Sequence, residues 1–130
     1  MYRFVDHTAE LELRLEAGTR EGVLSEAVAA LGELLGGSGG GAIVRREVSA
    51  SATDDAALLA AWLDELVFLA ETEGFVPERA DGLRVAGHAA RGSVAGRLGS
   101  PPHLVKGVTY NHLELRFDGE GWQGRVVLDV

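Results

Sequence analysis

Apolar and polar residues alternate without a break from Leu11 to Leu15, with Glu10, Glu12, Arg14 and Glu16 on the opposite face. A period of two is that of a strand covered on one side. The period then changes. Val23, Leu24, Ala27, Leu31, Leu34 and Leu35 recur at helical spacing, which predicts a helix that Thr19 can cap. A glycine-rich run from Gly36 to Gly41 breaks it. No Lys-Ser/Thr pair follows that run and the next segment is a strand, so it reads as a flexible connector and not as a phosphate loop.

Residues 42–52 read as the second strand. Thr53 or Asp54 can cap a second helix, and Asp54 and Asp55 complement its dipole. Its broad apolar face is Leu58, Leu59, Trp62, Leu63, Leu66, Val67 and Leu69, with Trp62 read as core filler, and Gly74 ends it. Residues 75–97 read as strands joined at Asp81-Gly82, a hairpin signal. Pro101 and Pro102 mark residues 99–107 as a loop. Two last strands follow, joined through residues 118–121. In the final one Trp122, Gly124, Val126, Leu128 and Val130 share one face, and Gln123, Arg125, Val127 and Asp129 the other. The order predicts an α+β fold over residues 1–130, a single domain with two helices packed on a mainly antiparallel β-sheet.

Composition narrows the functions. The apolar fraction of 46% and charged fraction of 25% fit an ordinary globular domain. With no cysteine, disulfides, thiolate metal sites and a cysteine nucleophile are excluded. No apolar run approaches the roughly 18 residues of a membrane span, and the N-terminus lacks a secretory pattern. A cytoplasmic protein without a membrane association is expected. The net charge of −8 disfavours autonomous nucleic-acid binding unless the few basic residues cluster, and suits a basic protein partner or a cation. Lys106 is the only lysine, and Asn111 and Gln123 are the only side-chain amides. A thermophilic source and a GC-rich genome account for this equally well.

His7, His88, His103 and His112 lack the spacing of a helical zinc site, and no serine sits in a nucleophile elbow. The densest ionisable cluster is Asp6-His7-Thr8-Ala9-Glu10. It is either a solvated strand end, with Asp6 or Thr8 in local turn bonds, or part of a site. If the last strand pairs beside the first, Asp129 and the Val130 carboxylate approach Glu10. Carboxylates held together repel unless protonated or bridged by a cation. An all-oxygen set favours Ca²⁺ or Mg²⁺. Spacing leaves open the alternative that Asp129 is a polar residue on an exposed face.

Four blocks carry a resemblance. Asp6-His7-Thr8-Ala9-Glu10 resembles the Asp/Glu-His-Thr-Ala-Asp signature of the archease family, and residues 58–74 its Leu-Leu-x-x-Trp-Leu-x-Glu-Leu helix. Residues 105–115 are similar to its Lys-Ala-Val-Thr-Tyr-His block, and residues 121–130 to its terminal strand ending in Asp-Ile or Asp-Val. The blocks keep their order across nearly the whole chain. The resemblance implies an accessory protein, not an enzyme. Its partner would be an RtcB-type RNA ligase, which joins RNA ends in tRNA splicing and RNA repair using GTP and a divalent metal. The accessory protein promotes guanylylation of the ligase's catalytic histidine and multiple turnover. It further implies a metal site at Glu10, Asp129 and Val130, with Ca²⁺ expected before Mg²⁺. Glu10 stands where the family usually has Asp, lengthening that arm by one methylene. Asn111-His112 departs from the family's His-Asn or His-Gly, which on strand alternation turns the imidazole to the other face. Lys106, Thr109 and Tyr110 match the block. The competing readings are a stand-alone divalent-metal hydrolase on the same carboxylates and a metal-free, chaperone-like interaction domain.

Overall fold

The computed structural model describes residues 1–7, 10–36 and 41–130, with the backbone alone at His7. The elements run β1 (Tyr2–His7), β2 (Glu10–Ala17), α1 (Arg20–Leu34), β3 (Ile43–Ser51), α2 (Asp55–Glu73), β4 (Phe75–Ala86), β5 (Ala89–Leu98), β6 (Gly107–Phe117) and β7 (Trp122–Asp129). All strand pairs are antiparallel. They form two sheets, ordered β1-β2-β7-β6 and β3-β5-β4. Where the sequence led us to expect one sheet, the strands thus divide four and three.

Local chemistry sets both helix starts. Thr19 accepts a hydrogen bond from the Gly22 N–H at 2.9 Å, and Asp54 one from the Ala57 N–H at 2.8 Å. Asp54, not Thr53, is therefore the cap of α2, and Gly74 in the left-handed region closes that helix. Helix α1 lies against β2 and β4, and α2 against β3 and β6, so each helix touches both sheets. One core results. Leu13, Leu24, Leu31, Leu59, Leu63, Val94, Val126 and Leu128 are all fully buried within it. Trp62 is buried at its centre, and its indole N–H donates to the Leu24 carbonyl at 3.2 Å, which satisfies the ring's one polar atom.

Two strand irregularities depart from the sequence reading. The Asp81-Gly82 pair does not turn a hairpin. The ladder passes from Asp81↔Ser93 to Arg84↔Arg91, so Gly82 and Leu83 oppose Gly92 alone. Gly82 at φ +61 makes this a bulge, and the chain reverses at Gly87-His88. A left-handed residue serves a hairpin turn and this bulge equally, so the dipeptide marks the conformation but not the element. The second irregularity is in β6. Between Thr109↔Val127 and Glu114↔Arg125, four residues of β6 face Val126 alone, with His112 at φ 57. Simple alternation therefore does not decide where the His112 ring points. Arg125 Nε donates to the His112 carbonyl at 3.0 Å and ties this excursion to β7.

The first ten residues contain a strand that the alternation of Leu11–Leu15 did not reveal. Strand β1 pairs with β2 along its whole length, ending at His7↔Glu10. Asp6, one of the two residues expected in turn bonds, lies in β1 opposite Leu11. The other, Thr8, lies outside the described residues with Ala9, as do residues 37–40 of the glycine-rich connector.

Candidate metal centre

Strands β2 and β7 are central neighbours in the four-stranded sheet. Their register runs from Ala17↔Trp122 to Glu10↔Asp129 without a slip. Alternation explains why. Leu11, Leu13 and Leu15 pair with Leu128, Val126 and Gly124 on the core face, and shifting either strand by one residue would turn these side chains to solvent. Holding the apolar register fixes the polar one. Glu10 and Asp129 are thereby directly opposed on the outward face, both half-buried. Asp129 is also held by its own backbone, since its carbonyl accepts from the Lys106 N–H at 2.7 Å.

Val130 follows the last residue of β7 and is exposed. It lines, together with Glu10, Asp6 and His103, an open cleft of about 580 Å³ at this end of the sheet. Asp129 is not among the residues lining that cleft. The structure therefore brings Glu10 opposite Asp129, and Glu10 and Val130 onto one cleft. Among the described residues no three His, Cys, Asp or Glu side chains converge as a metal cluster.

One row further along the same outward face, Glu12 opposes Val127, which in turn opposes Thr109. Glu12 is 4% exposed and Val127 2%, so this face is not simply solvated, as the alternation of β2 suggested. Arg14 Nε donates to the Glu12 carboxylate. The Thr109 hydroxyl is buried without a hydrogen-bond partner among the described residues. It lies two residues from Gly107, which pairs with Asp129. This orphaned hydroxyl stands one row along the sheet from the opposed carboxylates, and oxygen is the donor type that a hard cation takes. Neither the burial of Glu12 nor the place of His103 at the cleft was readable from spacing, because both depend on tertiary neighbours distant in sequence. Among the described residues no helix is long and apolar enough to cross a membrane.

Fold and site together define a small α+β protein with two antiparallel sheets, two bridging helices and opposed carboxylates where its last strand ends. Comparison with known proteins places it further. The chain belongs to the Archease protein family (MTH1598/TM1083), whose model matches residues 2–130. It is 32% identical over 143 residues to protein archease of Methanosarcina barkeri, covering 99% of this chain and 95% of that one. The solution structure of Methanobacterium thermoautotrophicum protein 1598 superposes with a TM-score of 0.73 at 24% identity, covering 99% and 98% of the two chains. A Thermotoga maritima crystal structure described as an archease, possible chaperone, gives 0.70 at 20% identity, covering 100% and 98%.

Proposed function

We propose that this chain is a cytoplasmic accessory protein of an RtcB-type RNA ligase, acting in tRNA splicing and RNA repair with a divalent cation bound at Glu10, Asp129 and the Val130 carboxylate. It promotes guanylylation of the ligase's catalytic histidine and multiple turnover. The observation that carries the site is the register that sets Glu10 opposite Asp129. Family membership over residues 2–130 supports the partner.

Opposed residues of an antiparallel pair have Cβ atoms about 4.5–5.5 Å apart, within reach of one shared ion. The extra methylene of Glu10 lets its carboxylate extend toward the cleft that Val130 lines. Oxygen donors select a hard cation, and the flexible coordination of Ca²⁺ suits so mixed a donor set better than the strict octahedron of Mg²⁺. When bound, the ion neutralises the carboxylates and offers a positive centre on an acidic protein. Glu10 and Asp129 hold that position, and the rigid β2–β7 ladder orients them. The rest of the surface, at a net charge of −8, docks against a basic region of the ligase. The possible chaperone role stated for the Thermotoga maritima protein agrees with an action on another protein's state.

A multiple-turnover ligation assay with the source organism's ligase tests this reading. The protein should raise turnover and guanylylation, and alone should neither join RNA nor hydrolyse GTP. Unchanged ligase turnover, or robust catalysis by the protein alone, contradicts it.

A further inference from the structure

The basic residues of this acidic chain are not spread evenly. Arg3, Arg14 and Arg125 occupy one row across β1, β2 and β7, each directly opposite the next. Like charges at opposed positions destabilise a sheet, so three in line need a compensating charge. Part of it is present. Glu12 takes Arg14, and Glu114, at the β6 end of the row, is shared between Arg116 and Arg125, the latter at 3.6 Å. Arg3 is exposed and has no ion pair or hydrogen bond among the described residues.

These four arginines line one cleft of about 200 Å³, with Glu16 and Glu114 as its carboxylates. Met1 also lines this cleft, and its ammonium is paired with Glu26, which does not. Four guanidinium groups, a third of the chain's Lys and Arg, thus gather at one concavity. They present planar, forked donors, which match tetrahedral oxyanions. The row lies on the same sheet face as Glu10 and Asp129. Four residues along β2 separate it from them, roughly 13 Å at strand rise. It is therefore distinct from the carboxylate pair.

We infer that the Arg3–Arg14–Arg116–Arg125 cleft is an anion site for a phosphate or diphosphate group of a small molecule. Its volume suits such a group and not a nucleic-acid strand. The bound anion supplies the charge that the opposed arginines lack, with Arg3 and Arg125 donating from two sides.

Calorimetric titration of the metal-free protein with pyrophosphate and with inorganic phosphate at low ionic strength tests the site. Saturable one-to-one binding is expected, tighter for pyrophosphate. Arg3→Ala removes a side chain with no partner among the described residues and should weaken binding about tenfold, as loss of a charge-assisted hydrogen bond does. Arg125→Ala should do the same, with circular dichroism checking that the tie to His112 was not essential to folding. The double variant Arg84→Ala, Arg91→Ala, on the other sheet, should bind like wild type. The inference is overturned by absence of saturable binding, by equal binding in Arg3→Ala, by loss in the Arg84/Arg91 variant instead, or by tight binding of a single-stranded RNA without any of pyrophosphate.

Discussion

Glu10 and Asp129 face each other across the β2–β7 ladder, although nearly the whole chain separates them in sequence. Core packing on one face of the two strands holds two carboxylates together on the other. The apolar contacts of Leu11, Leu13, Val126 and Leu128 thus position the polar pair, whose charges a shared cation would neutralise.

Cation binding should accordingly stabilise the fold. At a free Ca²⁺ concentration one hundred times its Kd, linkage adds about 2.7 kcal/mol. For a chain of this size that is a rise of several degrees in Tm, measurable by scanning calorimetry with and without the ion. Asp129→Asn should show little of that rise.

Gly32 gives a prediction opposite to helix propensity. Alanine normally stabilises a helix interior over glycine by about 1 kcal/mol. A Cβ at Gly32 would press into the Pro77 carbonyl oxygen, where α1 crosses β4 backbone to backbone. Gly32→Ala should therefore destabilise, by about 1–3 kcal/mol on the scale of core overpacking, seen as a lower urea midpoint.

Much of this was legible in the sequence. The α2 face from Leu58 to Val67 is long and strongly periodic, and six of the residues the spacing named are buried there. Leu69 is only half-buried, while the small Ala60 and Ala70, which the spacing did not name, are buried too. The pairing of Glu10 with Asp129 was legible only as a condition, because alternation gives each strand its faces but not its neighbour. Asp81-Gly82 misled for a local reason, since turn and bulge demand the same backbone from glycine. Glu12 and Thr109 were illegible because alternation assigns a residue to a face of its strand but says nothing of what covers that face. The arginine row emerges only when β1, β2 and β7 are laid side by side.

The turn between β6 and β7 predicts a pH effect. Asp118 accepts from the Glu120 and Gly121 N–H groups at 2.9 Å each and from the Gln123 amide at 2.7 Å. The two backbone donors, foremost that of Glu120, hold its carboxyl below the usual range. A depressed folded-state pKa contributes stability above the unfolded value, near 3.9, and that contribution disappears as pH falls through the lower folded value. Wild type should therefore lose more stability than Asp118→Ala on acidification below about pH 4. Parallel acid dependence in the two, measured by thermal melts from neutral pH downward, would remove the turn from the account.

Val130 tests the third ligand. Extending the chain beyond it converts the carboxylate to an amide, while deleting it moves the terminal carboxylate to position 129, one residue back along the strand. Both changes leave the core residues of β7 in place. Both should weaken Ca²⁺ binding in a titration while leaving the far-ultraviolet circular dichroism unchanged.

The most direct test is a calcium titration run beside ligase stimulation for wild type, Glu10→Ala and Asp129→Ala. Neither substitution touches the core face, so each should cost within about 0.5 kcal/mol of stability. The account predicts that both variants fold, and that both lose Ca²⁺ binding and ligase stimulation together. Folded variants that bind calcium and stimulate the ligase like wild type would contradict it.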